Sequence, residues 1–108
     1  MNDYIRKVLV HGANGVQGAA IARGLRKEGF VVRGSVRNPA RSAALREMGI
    51  EIVAADLESA PALRSASRGM DAVVLTLPLE WNEETVLRWT RHAAGAAREG
   101  GARLLVMN

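Results

Sequence analysis

Three glycines stand three residues apart in segment 12–18, which separates the short apolar run 8–10 from an alanine-rich stretch. A short apolar run predicts a buried strand, and the alanine-rich stretch predicts a helix. A chain that turns sharply from a strand into a helix needs glycine wherever a Cβ would obstruct the turn, the helix or a ligand. The segment therefore predicts a strand–turn–helix unit near the start of the chain.

Strand and helix signals alternate along the rest of the chain, with no internal repeat and no linker. Apolar runs predict strands at 7–11, 31–36, 50–54, 72–77 and 103–107. Capping residues, prolines and glycines mark the helix ends. The predicted helices are 17–28, one capped by Asn38 and running to Met48, one opened by Ser59 and ending near Gly69, and one capped by Asn82 and running to about Glu99.

Strands that are joined through helices pair in parallel with right-handed crossovers. The sequence therefore predicts an α/β fold, a doubly wound parallel sheet of the Rossmann type, with five strands ordered 3-2-1-4-5. In such a sheet ligands bind at the carboxyl ends of the strands, where strands 1 and 4 part.

The glycine segment lies at that position and is typical of a site for the pyrophosphate of a dinucleotide. Free N–H groups and the positive end of the helix dipole attract the anion. Gly12 would allow the turn, Gly15 would let phosphate oxygens approach, and Gly18 would let the helix pack on the strands. Asn14 stands where the G-x-G-x-x-G fingerprint has glycine, so a glycine-rich turn without a ligand is the alternative.

Residues at the ends of the next strands indicate which dinucleotide binds. An NAD-type fold has an acid after the second strand, which holds the ribose 2′-hydroxyl. This chain has Arg37 there and Arg41 one helical turn later. Because a guanidinium pairs well with a phosphate, we expect NADP(H) to be favoured over NAD(H), with a plain surface arginine as the alternative.

Two further segments follow predicted strands. Asp56 is placed to accept a hydrogen bond from the adenine amino group, although a turn-forming or capping aspartate is an equal alternative. Residues 75–78, Leu-Thr-Leu-Pro, end the fourth strand and would lie beside the pyrophosphate and the nicotinamide side of the cleft.

Over its whole length the chain resembles the NmrA-like group of atypical short-chain dehydrogenase/reductases. The resemblance is carried by segment 12–18, by Val-Arg-Asn-Pro at 36–39, by Ala-Asp-Leu at 55–57 and by Leu-Pro at 77–78. Gln17 and the Arg-Asn-Pro segment are its more distinctive marks, and Trp81 stands where the group often has an aromatic residue. His11 departs from the threonine that is common before the first glycine, and we expect it to affect strand packing rather than catalysis.

The resemblance implies that residues 1–108 are an NAD(P)-binding domain, the amino-terminal part of a longer NAD(P)H-dependent oxidoreductase that reduces a small carbonyl, quinone or enone. The cofactor-binding residues that it implies are Gly12, Asn14, Gly15, Val16, Gln17, Gly18, Arg37, Asp56, Leu57, Leu77 and Pro78. It implies no metal site.

Catalytic short-chain reductases use a tyrosine with a lysine four residues later to transfer a proton. The only tyrosine here is Tyr4, at the amino end of the first strand, and the sequence contains no Tyr-x-x-x-Lys. We interpret His92 as a surface or interface residue, so no catalytic residue is predicted. A non-catalytic NAD(P) redox sensor that acts through a protein partner therefore stays open. A nucleotide-sugar epimerase or dehydratase is less favoured, because of Arg37 and Gln17.

The amino-acid composition bears on two other classes of protein, nucleic-acid-binding and membrane-spanning proteins. The net charge is +4 and the pI is about 10.6, but 13 of the 15 basic residues are arginines scattered among alanines, and only four side chains are aromatic. This pattern favours a solvated surface over a nucleic-acid site. The chain has no cysteine, and no apolar run approaches the roughly 20 residues of a membrane span. We expect a cytoplasmic protein without a membrane partner.

The last predicted strand indicates that the chain has apolar surface for a further contact. A following helix would complete the face that is covered by the third and fourth helices, and the sequence stops before it. We expect Leu104, Leu105 or Val106 to present apolar surface, and the fifth strand to be an open edge. The chain is then expected to form a homo-oligomer or to be part of a longer polypeptide.

Overall fold

The computed structural model describes residues 4–79 and 82–108. The strands are β1 (Lys7–His11), β2 (Val31–Val36), β3 (Glu51–Ala54), β4 (Ala72–Leu75) and β5 (Leu104–Met107). The α-helices are α1 (Val16–Lys27), α2 (Ala43–Glu47), α3 (Ala60–Ser67) and α4 (Glu83–Glu99), and a 3₁₀ turn spans Pro39–Arg41. Trp81 lies outside the described residues.

The five strands form one parallel sheet in the order β3-β2-β1-β4-β5, which confirms the predicted topology. In the register of the sheet, His11 lies opposite Ser35 of β2 on one side and Leu75 of β4 on the other. The carboxyl ends of the three central strands therefore meet at one edge, where the glycine segment begins.

Helices cover both faces of the sheet, and this explains why β1 is an unbroken apolar run. Val8 and Val10 pack in a core with Ala22 of α1 and Leu45 of α2. Leu9 points the other way, into a core with Leu63 of α3 and two alanines of α4. Successive side chains of a strand point to opposite faces, so a strand that is covered on both faces is apolar throughout.

The segment predicted as a single helix from Asn38 to Met48 is broken at Ser42. The Asn38 side chain accepts a hydrogen bond from the N–H of Ala40 at 3.1 Å, and the Ser42 N–H donates to the Pro39 carbonyl at 3.2 Å. These short-range bonds wind a 3₁₀ turn. Ser42 then leaves the helical conformation, with φ −113° and ψ 21°, and its side chain is buried.

Strand β4 ends at Leu75, two residues earlier than predicted, so Leu77 and Pro78 lie in the loop that follows it. The reason is that β1, its neighbour, turns away at Gly12, where φ is +71°. Two other strands, β3 and β5, begin one residue later than predicted, and α1 begins one residue earlier.

Two of the three exposed apolar side chains of β5, those of Leu104 and Val106, lie on a different face from the one we expected. Leu105 packs into the core under α3 and α4. Leu104 and Val106 are 45% and 43% exposed, and they lie opposite Ala72 and Val74, which belong to the core on the α1 side. The sheet is therefore uncovered on the face of α1 and α2 at Leu104 and Val106, whereas Met107, which is also exposed, alternates onto the other face.

Candidate dinucleotide-binding site

The glycine turn is anchored to the end of β2. The N–H groups of Gly12 and Ala13 both donate to the carbonyl oxygen of Ser35, each at 3.1 Å, and the Gly15 N–H donates to the Gly12 carbonyl at 2.9 Å. Gly12 needs its positive φ, and a Cβ there would lie only 2.6 Å from the Thr76 hydroxyl. The turn thus passes close to both strands that flank β1.

The other two glycines of the motif serve different purposes. A Cβ on Gly18 would overlap the carbonyl oxygen of Gly12, so close packing of α1 on the turn requires glycine at that position. A Cβ on Gly15 would meet one atom within 4 Å, the Gly12 oxygen at 3.3 Å, and the Gly15 φ of −77° suits any residue. Packing within the described residues therefore requires glycine at position 18 and much less at position 15.

The amino end of α1 presents unused donors. Gly15 caps the helix without a side-chain hydrogen bond, and the first turn contains no acidic residue. In the part of the chain that the structure describes, no atom accepts a hydrogen bond from the N–H of Val16, Gln17 or Gly18. These N–H groups and the helix dipole make this end of α1 attractive to an anion.

Two amide side chains flank the turn, and each is held by a residue that the sequence reasoning missed. Asn14 Oδ1 accepts a hydrogen bond from the Ser42 hydroxyl at 3.2 Å. Gln17 Oε1 accepts one from Asn108 Nδ2 at 2.6 Å. Asn108 could have been found as a polar residue directly after the strand next to β4. Ser42 had no such signal, because only the break in the predicted helix turns it inward.

Arg37 follows β2 directly and is exposed, and Arg41 is exposed at the end of the 3₁₀ turn. Neither guanidinium makes an ion pair or hydrogen bond with the residues at 4–79 and 82–108. The end of β2 therefore carries available positive charge.

Asp56 forms the turn that we considered as its alternative role. Its Oδ1 accepts a hydrogen bond from the Glu58 N–H at 2.9 Å, and its carbonyl accepts one from the Ser59 N–H at 2.8 Å. Leu57 packs against the α3 and α4 core, and its carbonyl oxygen lies 2.7 Å from Nδ1 of His92. The structure thus gives His92 a contact that holds this loop.

Glu58 adds a second link between the loop and α4. Its two carboxylate oxygens each accept a hydrogen bond from Arg88, at 2.8 Å. The hydrogen bonds from Arg88 are the largest cause that lowers the pKa of Glu58 to about 2. The carboxylate is therefore ionised at neutral pH, and the loop that carries Asp56 and Leu57 is tied to α4.

His11 lies buried beneath the turn. Its Nδ1 is 2.6 Å from the Ser35 hydroxyl, and its carbonyl accepts a hydrogen bond from the Thr76 hydroxyl at 2.6 Å. Burial lowers the pKa of His11 to about 4, so the ring is neutral at pH 7. Its contacts join the ends of β1, β2 and β4, which agrees with the expected role in strand packing.

The other residues that the sequence analysis singled out are more exposed to solvent. Leu77 is half-buried, Pro78 is exposed, and Tyr4 is exposed ahead of β1, at the opposite end of the sheet from the glycine turn. Among the described residues, no three His, Cys, Asp or Glu side chains are grouped to hold a metal ion. No helix over the same residues is long and apolar enough to cross a membrane.

A parallel sheet with this strand order and a glycine turn leading into an open helix end defines a Rossmann-type nucleotide-binding domain. The chain belongs to the NAD(P)H-binding family, whose model matches residues 12–108. The chain is an NAD(P)H-binding domain, and the resemblance to the NmrA-like group is confirmed by a relative of that group.

That relative is an NmrA-like family domain-containing oxidoreductase of Aspergillus sp. (strain MF297-2), 50% identical over 58 residues, which are 51% of this chain and 17% of the relative. Triphenylmethane reductase of Citrobacter sp. has the same fold, with a TM-score of 0.86 and 20% identity over 94% of this chain and 36% of that one. An NADPH-dependent quinone oxidoreductase of Escherichia coli, solved with NADPH, matches with a TM-score of 0.79 and 25% identity over 93% of this chain and 35% of that one. The chain thus spans between a sixth and about a third of the length of these proteins.

Proposed function

We propose that this chain is the NADP(H)-preferring cofactor domain of an oxidoreductase that reduces a small carbonyl, quinone or enone. The observation that supports the preference is the available guanidinium of Arg37 at the end of β2, where an NAD-type domain has an acid. The quinone oxidoreductase that was solved with NADPH supports the substrate class, which we extend to this chain as part of the proposal.

Each group of residues in the site binds a different part of the dinucleotide. The N–H groups at the start of α1 bind the pyrophosphate, and Gly15 leaves space for its oxygens. Arg37, with Arg41 nearby, pairs with the 2′-phosphate. Asp56 and Leu57 border the adenine, and Leu77 and Pro78 border the nicotinamide. The bound cofactor would supply the hydride, and these residues bind and orient it.

The test is a titration of NADPH and NADH into the wild-type chain and the variant Arg37→Ala. Loss of a charge-assisted contact of about 1.5–3 kcal/mol should weaken NADPH roughly 10- to 100-fold and leave NADH nearly unchanged. Arg91→Ala, which removes an exposed arginine of α4, is the matched control. Equal affinities in the wild type, or an unchanged preference in Arg37→Ala, would contradict the proposal.

A second candidate is a dinucleotide sensor, in which binding changes a contact with another protein. It stays a candidate because no Tyr-x-x-x-Lys pair among these 108 residues marks the chain as a reductase. The two candidates differ in turnover by the protein that contains this domain, because no catalytic residue is predicted within the 108 residues themselves. As a sensor, that protein binds NADPH without oxidising it, whatever quinone, enone or carbonyl is added. NADPH oxidation by that protein that depends on one of these acceptors rules the sensor out.

A further inference from the structure

Both amide side chains of the glycine turn have their oxygen atoms occupied by partners from distant parts of the chain. Ser42 donates to Asn14 Oδ1 at 3.2 Å across 28 positions of sequence, and Asn108 donates to Gln17 Oε1 at 2.6 Å across 91 positions. The two partners approach from opposite sides of the sheet order, one after β2 and the other after β5.

This arrangement limits what each amide can offer to a ligand. A carboxamide has an oxygen that accepts hydrogen bonds and an NH₂ group that donates two of them. When the oxygen is occupied by a protein donor, the NH₂ group is what remains for a ligand. A phosphate diester oxygen only accepts hydrogen bonds and carries negative charge. An amide turned the other way would therefore present its own lone pairs to that charge.

We propose that Ser42 and Asn108 are positioning residues that fix the amides of Asn14 and Gln17 with their donor groups available to the pyrophosphate. The proposal rests on the dinucleotide function proposed above and adds two residues to it. Ser42 and Asn108 themselves need not touch the ligand.

The positions of the two partners are set by the fold. Ser42 is 1% exposed, and its side chain does not cap α2, although Ser42 occupies the N-cap position of that helix. Its hydroxyl instead turns to Asn14. The backbone N–H of Asn108 donates to the Leu75 carbonyl at 3.0 Å, which extends the pairing of β5 with β4 by one residue. Each partner is thus held by backbone structure, whereas Asn14 and Gln17 are exposed.

Exposure makes the positioning necessary. An exposed amide that rotates by half a turn exchanges donor and acceptor at little cost, because water can satisfy either end. The hydrogen bonds of the structure hold each amide in one of the two orientations, and the reverse orientation would need the Ser42 hydroxyl to accept, or the Asn108 amide to turn together with Gln17. Preorganisation of this kind increases affinity by reducing what binding must order.

The experiment is a pair of double-mutant cycles read out as the NADPH dissociation constant of the 108-residue chain. One cycle uses Ser42→Ala with Asn14→Ala, and the other uses Asn108→Ala with Gln17→Ala. Each single substitution should weaken NADPH about three- to tenfold. Each double variant should bind no more weakly than its Asn14→Ala or Gln17→Ala parent, because the partner acts only through that amide.

Two further measurements separate positioning from a general loss of structure. Adenosine 2′-monophosphate carries the phosphate meant for Arg37 but no pyrophosphate, so Ser42→Ala and Asn108→Ala should leave its binding unchanged. Asn108→Asp cannot donate to Gln17 and should bind NADPH more weakly than Asn108→Ala. Asn108→Asp in the Gln17→Ala background measures the effect of the added charge alone, which is then subtracted.

The outcomes are distinct. The positioning role would be overturned if, in both cycles, the double variant lost affinity for NADPH by the product of the two single losses. It would also be overturned if Ser42→Ala and Asn108→Ala weakened NADPH and adenosine 2′-monophosphate equally. A wild-type chain that binds no dinucleotide would instead overturn the proposed function. If Ser42→Ala does not fold, which an unfolding curve shows, the cycle at the exposed residue Asn108 decides the question.

Discussion

His11 illustrates how one buried side chain can serve the turn above it. Its imidazole is 1% exposed and lies 2.6 Å from the Ser35 hydroxyl, while the carbonyl of Ser35 holds the N–H groups of Gly12 and Ala13. Ser35 therefore contacts His11 through its side chain below the turn and anchors Gly12 and Ala13 of the turn through its carbonyl oxygen. The ring must stay neutral, because burial without a charged partner disfavours the imidazolium.

We predict that this burial makes stability depend on pH. The pKa of His11 is lowered from 6.5 to about 4 in the folded chain. Between those values the unfolded state binds a proton and the folded state does not, so the free energy of unfolding falls as the pH is lowered. The expected loss across this window is roughly 3 kcal/mol. Urea unfolding at several pH values between 7 and 4 measures it.

The variant His11→Gln removes the titrating group and should lose this part of the pH dependence. His92→Gln is the matched control and should keep it, since His11 is intact there. Parallel pH profiles for the wild type and His11→Gln would show that the buried ring does not titrate as described.

We predict that substitutions at two glycines of the same motif affect different properties, one NADPH binding and the other stability. Gly15→Val should keep the fold, because the only atom within 4 Å of a Cβ there is the Gly12 oxygen at 3.3 Å. It should lose NADPH binding, because the side chain fills the space that the phosphate oxygens would occupy. Gly18→Ala should lower the free energy of unfolding by roughly 3 kcal/mol or more, because its Cβ overlaps backbone that cannot move away. Unfolding curves and NADPH titrations of both variants test this. A Gly15→Val chain that binds normally would mean that the turn holds no phosphate.

At the scale of elements, the loop after β3 is held by α4 through Glu58, Arg88 and the contact of His92 with Leu57. We predict that Arg88→Ala raises the pKa of Glu58 from about 2 toward its ordinary value of 4.5, because the largest cause of the lowered value is the hydrogen bond from Arg88. Carboxyl chemical shifts followed during an acid titration measure it. Arg91→Ala, three residues further along α4, should leave the pKa of Glu58 low, and an equal rise in both variants would contradict the assignment.

Most elements could be predicted from local sequence. The bounds of β1 and β2 match the prediction, because apolar runs between turn residues determine them. The inward turn of the Ser42 side chain and the contact at the end of β4 could not be predicted, since Ser42 contacts Asn14 and Thr76 contacts His11, each across a long stretch of sequence. The glycines of the site followed from their spacing. Asn108 and Ser42 depend on which loops meet, and that is a property of the assembled sheet.

At the scale of the whole molecule, the strands of the sheet differ in how far they are paired and buried. Strand β1 pairs on both sides, with β2 and β4, and is buried between two cores. Over the described ranges 4–79 and 82–108, β5 pairs on one side only, and Leu104, Val106 and Met107 are about half exposed. Local opening should therefore be easier at β5 than at β1.

We predict that amide hydrogens of β5 exchange with solvent much faster than those of β1. Hydrogen exchange followed by NMR at low protein concentration measures both strands in one sample. Sedimentation over the same concentration range detects the expected homo-oligomer, and association through β5 would raise its protection as concentration increases. Equal protection of β1 and β5 in a monodisperse monomer would contradict this view of the edge.

The contact between Gln17 and Asn108 has a consequence for the order in which a newly made chain matures. Synthesis completes β1 to β4 first, so the glycine turn and Arg37 can be in place while the fifth strand has not yet left the ribosome. Gln17 gains its partner only when Asn108 arrives beside Leu75. Full affinity for the dinucleotide would then arise only after β5 docks, and the cofactor would select nascent chains in which it has done so.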